Sequence, residues 1–126
     1  EDKWSNFALR SQQAINGLRQ WLLEKESKGD TVVGYGAAHK GNTFLNAVGE
    51  ASKTLKYVVD ASQEKQEKFL PGSQVPVLAP ELLNSMNPTD VLILPWNIAE
   101  ELTEKIKSIA PDARVWIAQP SMQQLI

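Results

Sequence analysis

The chain has 126 residues, of which 42% are hydrophobic and 22% are charged, a balance typical of one soluble globular domain. Because 13 Lys and Arg residues stand against 15 Asp and Glu residues, the net charge of -2 lacks the basic excess of a nucleic-acid binder. The chain has no Cys and a single His, His39, which excludes disulfide frameworks and Cys-rich or multi-His metal sites within it. No apolar run approaches the ~18 residues of a membrane span, so we expect a cytoplasmic protein without membrane or nucleic-acid partners.

The first half of the chain predicts a helix, a strand, a second helix and a second strand. Apolar side chains recur at helical spacing over residues 4–23, and Gly29 ends this helix. The β-branched run 31–35 predicts a buried strand that leads into glycines. Helical spacing returns in segment 44–48, and the run 55–59 predicts the second strand.

The second half continues this alternation. A polar loop over residues 61–74 precedes a short strand at 75–78, and Pro80 then begins a helix. The last two strands, 91–94 and 114–118, flank one more helix.

The start of that last helix has its own signal. Asn97 and Glu100 have the spacing of a capping arrangement, so we expect Asn97 to cap the helix.

Alternating strands and helices predict an α/β fold with parallel strands and right-handed crossovers. We expect a Rossmann-like sheet of about five strands in the order 3-2-1-4-5, with helices on both faces and an amphipathic helix before it. Ligands bind such sheets where the first and fourth strands end. The segments Gly34 to Gly41 and Pro95 to Asn97 should therefore line one crevice.

The glycine-rich segment Gly34 to Gly41 lies between a predicted strand and helix, where backbone N–H groups can hold a phosphate. It matches neither standard pattern, because His39 replaces a small residue of the dinucleotide fingerprint and Asn42 replaces the P-loop lysine. One cation, Lys40, and the hydrogen-bonding groups of Asn42 and Thr43 suit an anionic ligand such as a pyrophosphate. Alternatively, the glycines only allow a tight turn and close helix packing.

Five further positions have both a binding and a structural interpretation. Asp60 follows the second strand at close to the ~20-residue spacing of an acid that binds ribose hydroxyls, or it caps the loop. Lys65, Gln66 and Lys68 form a polar run that either contacts a ligand or belongs to a solvated face. Trp96, beside Asn97, either stacks on a base or sugar ring or packs in the core.

Six segments, in this order, carry a resemblance to a known family: GYGAAHKGNTFLN (34–46), YVVD (57–60), KQ (65–66), FLPG (69–72), VPV (75–77) and LPWN (94–97). Together they resemble the C-terminal domain of S-adenosylmethionine-dependent sugar C-methyltransferases, over about residues 30–118. The resemblance implies a connector helix at 1–29 and a Rossmann-like C-terminal domain at 30–126.

The resemblance implies a reaction in which a keto-sugar is deprotonated beside its carbonyl and the enolate attacks the methyl sulfonium. This domain would capture and orient the nucleotide-diphosphate sugar. We predict substrate contacts, but no catalytic residue and no metal ligand, at Gly34, Tyr35, Gly36, Lys40, Gly41, Asn42, Thr43, Asp60, Lys65, Gln66, Trp96 and Asn97.

The chain departs from the family pattern in two ways, which determine what activity we expect of it. His39 stands where the family usually has a small residue, so no catalytic role is assigned to it. The zinc cysteines and the S-adenosylmethionine loop have no counterpart here. We therefore expect a fragment of a larger enzyme, inactive alone, whose upstream domains bind S-adenosylmethionine and zinc and pack against this domain.

Two other functions fit the sequence. One is a stand-alone regulatory module that binds a nucleotide or dinucleotide, with Asp60 on the ribose. The other is a structural dimerisation domain, a homodimer whose contact face is formed by Trp4, Phe7 and Trp21 of the first helix.

Overall fold

A computed structural model describes the backbone of residues 3–37, 39–119 and 121–126, and the side chains at 3–7, 39 and 40 lie outside the description. The helices are α1 (Lys3–Lys28), α2 (His39–Val48), α3 (Leu82–Met86) and α4 (Ala99–Ile109), with 3₁₀ turns at Gly49–Thr54 and Trp96–Ile98. The strands are β1 (Val32–Tyr35), β2 (Leu55–Val59), β3 (Val77–Leu78), β4 (Asp90–Ile93), β5 (Arg114–Ile117) and β6 (Gln123–Gln124). Among these helices, none has the length and apolar character needed to cross a lipid bilayer.

The strands form one sheet in the order β3-β2-β1-β4-β5-β6, in which the first five are parallel. This confirms the predicted α/β fold and the order 3-2-1-4-5. The sequence analysis missed β6, which runs antiparallel to β5. Backbone bonds hold it in place, since the N–H of Leu125 donates to the carbonyl of Val115 at 2.7 Å. Two exposed glutamines carry no hydrophobic signal from which a strand could be predicted.

The sheet is covered by helices on both faces. Successive residues of β1 point to opposite faces, so Val32 packs in the core beneath α1 and α2 while Val33 packs beneath α3 and α4. Leu18 and Leu22 of α1 are fully buried in the first of these cores. Ile106 of α4 is fully buried in the second. Burial on both faces explains why the central strands β1 and β4, which are buried along their whole length, consist mainly of hydrophobic residues.

The C-terminus of α1 lies where the sequence predicts it. Gly29 ends α1 as predicted, with a left-handed φ of 74°. Its N–H donates to the Glu26 carbonyl, and the N–H of Asp30 donates to the Lys25 carbonyl, both at 3.1 Å, which is a Schellman motif.

The prediction that Asn97 caps α4 is wrong. The chain after Pro95 first forms a 3₁₀ turn, Trp96–Ile98, so the residue before α4 is Ile98, and no side chain caps the helix. Asn97 therefore lies inside the turn, where it is exposed.

A buried ionic cluster, here called the Asp90 anchor, fastens α1 to the amino end of the sheet. Asp90 has no exposed surface, and its carboxylate accepts hydrogen bonds from Arg114 Nε at 2.9 Å and Trp116 Nε1 at 2.8 Å. Thr89 Oγ1 donates to the same carboxylate at 2.7 Å. Lys25 of α1 completes the anchor, with its Nζ 3.1 Å from Asp90 Oδ1.

Two tryptophans surround the Lys25 ammonium. Its Nζ lies 5.7 Å from the ring centroid of Trp21 and 5.2 Å from that of Trp116, distances that suit cation–π contacts. The two rings are themselves 5.1 Å apart and tilted by 56°. The charge of Lys25 is thus neutralised by the carboxylates of Asp90 and Asp30, the second at 3.4 Å, and screened from water by aromatic surface.

The Asp90 anchor predicts a loss of stability in acid. Burial raises the pKa of Asp90, but hydrogen bonds from Arg114, Thr89, Lys25 and Trp116 outweigh it, so the pKa is lower than in the unfolded chain. The stabilisation is therefore present above the unfolded pKa of ~3.9 and is lost as the pH falls through the lower folded pKa. We expect the free energy of unfolding, measured by urea titration, to fall more steeply below about pH 4 in the unchanged chain than in Asp90→Asn. Equal slopes would contradict this.

Candidate functional site

The turns that follow β1 and β4 pack directly against each other at the carboxyl end of the sheet. Gly36 has a φ of 91°, and a Cβ added there would lie 2.5 Å from Pro95 Cδ. The N–H of Leu94 donates to the carbonyl of Tyr35 at 3.0 Å. The two segments that the sequence analysis assigned to one crevice are therefore side by side.

Asp60, at the end of β2, fixes the glycine-rich turn. Its Oδ2 accepts the N–H of Ala37 at 2.6 Å, and its Oδ1 accepts the N–H of Ser62 at 2.8 Å. Lys65 Nζ donates to the carbonyl of Ala37 at 3.0 Å. The backbone N–H and the carbonyl of Ala37 are therefore both hydrogen-bonded, to Asp60 and to Lys65. We call Asp60 and Lys65 the Ala37 clamp. Gln66 Nε2 supports it by donating to the carbonyl of Asp60 at 2.8 Å.

Two cavities flank the Ala37 clamp. The first, the switch-point cleft, has a volume of about 270 Å³ and lies between the ends of β1, β2 and β4. Its lining includes Tyr35, Asp60, Lys65, Pro95, Ile98 and Lys105. The second, the loop pocket, has a volume of about 340 Å³, and its lining includes Ala37, Glu64, Lys65, Lys68, Phe69 and Pro71. Lys65 lines both cavities.

The switch-point cleft combines hydrogen-bond donors, an acceptor and positive charge. Burial, together with the nearby charges of Asp60 and Glu81, raises the pKa of Tyr35, so its hydroxyl keeps its proton at neutral pH. The Asp60 carboxylate accepts hydrogen bonds, and the Lys65 and Lys105 ammonium groups donate them. This set suits a ligand that carries both hydroxyl groups and negative charge.

Two of the predicted contact residues have a packing role. A Cβ added at Gly41 would lie 2.6 Å from Leu94 Cβ, so this glycine lets α2 approach the end of β4. A Cβ at Gly34 would lie 3.0 Å from Val58 Cγ2 on the neighbouring strand. Ligand contact at these two positions stays a prediction.

Other predicted contact residues lie outside the linings of the two cavities. Asn42 is half-buried, and its Oδ1 is buried with no hydrogen-bond partner among the described residues. Thr43 and Asn97 are exposed, and Trp96 is half-buried in its 3₁₀ turn.

Several side chains of the sequence predictions are outside the description. These are Lys40 and His39 at the start of α2, and Trp4 and Phe7 of the proposed dimer face.

Sequence reasoning missed Lys105, although a signal for it exists. Ile98, Leu102 and Lys105 follow each other at i, i+4 and i+7, which places them on one side of a helix that begins beside the Pro95 turn. All three line the switch-point cleft. The sequence analysis considered Lys68 only as part of the polar run with Lys65 and Gln66, for which ligand contact and a solvated face both stayed open. It gave Phe69 no binding role, because a polar loop gives no periodicity from which the direction of its ring could be inferred.

Within the described residues, no group of three or more His, Cys, Asp or Glu side chains is close enough to hold a metal ion.

Comparison with known proteins identifies the family of this chain. The model of the family described as C-methyltransferase C-terminal domain matches residues 1–119. This chain belongs to that family.

A curated protein of related sequence is the C-methyltransferase NovU of Streptomyces niveus. It is 34% identical to this chain over 104 residues, which are 82% of this chain and 25% of NovU. This C-methyltransferase C-terminal domain thus spans about a quarter of the length of the curated relative it matches.

A solved structure of similar fold is the UDP-D-quinovosamine 4-dehydrogenase of Vibrio fischeri. The similarity covers 77% of this chain and 93% of the dehydrogenase chain, with a TM-score of 0.57. At 12% sequence identity it establishes the Rossmann-like fold of the C-methyltransferase C-terminal domain and nothing about its ligand.

Proposed function

We propose that this chain is the nucleotide-sugar-binding domain of a larger S-adenosylmethionine-dependent sugar C-methyltransferase. Family membership and the identity with NovU support the enzyme class. The observation that carries the binding role is the switch-point cleft, in which Tyr35, Asp60 and two lysines surround one cavity at the carboxyl end of the sheet. A sugar diphosphate supplies the hydroxyl groups and the negative charge that these side chains complement.

In this proposal the domain contributes binding and orientation. Contacts to parts of the substrate that do not react provide free energy that positions the sugar carbon for methyl transfer. Deprotonation and methyl transfer take place in upstream segments of the longer protein, which also bind S-adenosylmethionine and zinc. No residue of this chain is given a role toward either group.

Removal of the Lys105 ammonium should weaken binding of a nucleotide sugar. We expect the Kd of UDP-glucose or TDP-glucose, measured by ligand-observed NMR, to rise about 5- to 10-fold in Lys105→Ala, because a charged donor is lost from the cleft. The matched control is Lys107→Ala, which removes an exposed lysine of the same helix outside both cavities and should leave the Kd unchanged.

The same titration tests the alternatives. NAD and S-adenosylmethionine serve as comparison ligands, and we expect neither to bind. Binding of NAD without binding of either nucleotide sugar would overturn the proposal in favour of a dinucleotide-binding regulatory module.

A further inference from the structure

The loop between β2 and β3 presents an exposed aromatic ring on a fixed backbone. Phe69 is 61% exposed, whereas the next residue, Leu70, is 5% exposed and belongs to the core. Phe69 forms an antiparallel bridge with Pro76, and the N–H of Leu70 donates to the carbonyl of Val75 at 2.8 Å. The ring therefore faces solvent although its backbone is held on both sides.

This loop is hydrogen-bonded to β3 and contains two residues with strained backbone angles. The N–H of Glu67 donates to the carbonyl of Val77 at 2.7 Å, and the N–H of Val77 donates to the carbonyl of Lys68 at 2.8 Å. Glu67 and Gln74 adopt left-handed φ angles of 64° and 63°, which are unfavourable for residues other than glycine. Strain of this kind is concentrated at ligand sites, where the fold maintains it to present particular side chains.

The loop pocket beside the ring has a mixed lining. Phe69 and Pro71 supply flat apolar surface, and Lys65 and Lys68 supply positive charge. An aromatic ring next to lysines is the arrangement by which proteins stack a nucleobase and neutralise the phosphates attached to it. Glu64, also in the lining, offers a carboxylate acceptor to a base N–H or a ribose hydroxyl.

We infer that the loop pocket is the nucleoside diphosphate subsite, in which Phe69 stacks on the nucleobase and Lys65 and Lys68 bind the phosphates. This inference rests on the proposed function and assigns an orientation to the ligand. Lys65 lines both cavities and uses one ammonium hydrogen on the carbonyl of Ala37, so two remain for a phosphate. The sugar then extends past Lys65 into the switch-point cleft, beside Tyr35 and Asp60.

The test measures the contributions of the nucleoside diphosphate and of the sugar to binding separately. The probes are UDP, TDP and UDP-glucose, each titrated into the full chain, with saturation transfer from the protein measured at the base, ribose and glucose protons. In Phe69→Leu, which keeps the apolar volume but removes the ring, we expect the Kd of UDP and of UDP-glucose to rise equally, by about 5- to 20-fold. Phe69→Tyr keeps the stacking ring and should bind within about 2-fold of the unchanged chain.

Lysine variants provide the second readout. Lys68→Ala should weaken UDP binding about 3- to 10-fold and reduce its sensitivity to salt, because an exposed charge contact to phosphate is screened by ions. Lys56→Ala, an exposed lysine of β2 outside both cavities, is the control and should have no effect. Lys105→Ala should weaken UDP-glucose but leave UDP unchanged.

Two results would overturn the inference. If Phe69→Leu bound UDP and UDP-glucose as the unchanged chain does, Phe69 would be free to contact another part of the longer protein. The proposed function would stand if Lys105→Ala still weakened UDP-glucose. If the unchanged chain bound no nucleotide and no nucleotide sugar, both the inference and the binding role would fail.

Discussion

Replacement of Asp90 by Ala is expected to lower the free energy of unfolding by about 3 to 5 kcal/mol, since it removes one partner of a buried ion pair. The Lys25 ammonium and the Trp116 N–H would lose their shared acceptor, and the Arg114 guanidinium would lose its bidentate partner. Urea unfolding followed by tryptophan fluorescence measures the effect, because Trp21 and Trp116 lie within the cluster and report on its loss.

The control for this experiment is the exposed ion pair between Glu50 and Lys53. Its charged atoms are 2.9 Å apart, closer than those of Lys25 and Asp90, yet both side chains are mostly in water. Glu50→Ala should change the free energy of unfolding by less than about 0.5 kcal/mol, because solvent screens such pairs. A loss below about 1 kcal/mol in Asp90→Ala would show that the anchor contributes no more than a surface pair does.

Ala at Gly41 should destabilise the chain by about 1 to 3 kcal/mol, even though Ala is the better helix former. The added Cβ would lie 2.6 Å from Leu94 Cβ, and neither atom can move without its backbone. Relief of this contact requires α2 to move away from the end of β4, which opens the core between them. Thermal or urea unfolding of the purified variant measures the loss.

The matched substitution is Gly17→Ala in α1. An added Cβ at Gly17 meets nothing within 4 Å, and the residue lies inside a helix, so Ala should stabilise the chain by about 0.5 to 1 kcal/mol. The two variants make the same chemical change in two helices and should have opposite signs. Stabilisation by Gly41→Ala would show that α2 can shift freely over β4.

Most of the fold follows from local patterns in the sequence. The run 55–59 is β2 with the same bounds, and 114–118 exceeds β5 by one residue, because both runs are dominated by β-branched and aromatic side chains, which favour strands. The strand order then follows from the handedness of crossovers, and the position of the crevice follows from the order. The end of α1 at Gly29 could also be predicted from local sequence, because it depends on one residue that adopts a left-handed φ.

The candidate site was predictable only in part. Asp60 was identified from its place after β2, and Lys65 and Gln66 from a polar run that also belongs to the family resemblance. The bonds that these residues make to Ala37 and to each other depend on how the loop folds back. Close helix packing was one of the two interpretations of the glycines, but its partner at Gly41 is Leu94, which is remote in sequence, so periodicity could not identify that contact. Phe69 was missed because exposure of one ring in a polar loop is decided by the pairing of that loop with β3.

The short strands at the two borders of the sheet bear on self-association. β3 and β6 have two residues each, and the N–H and carbonyl of Val77 are already bonded to the loop that carries Phe69. In the part of the chain that the structure describes, the borders therefore leave a neighbouring copy few free backbone groups on which to add a strand. Growth of the sheet from molecule to molecule, a common route to aggregation, would first have to displace this loop or the C-terminal strand.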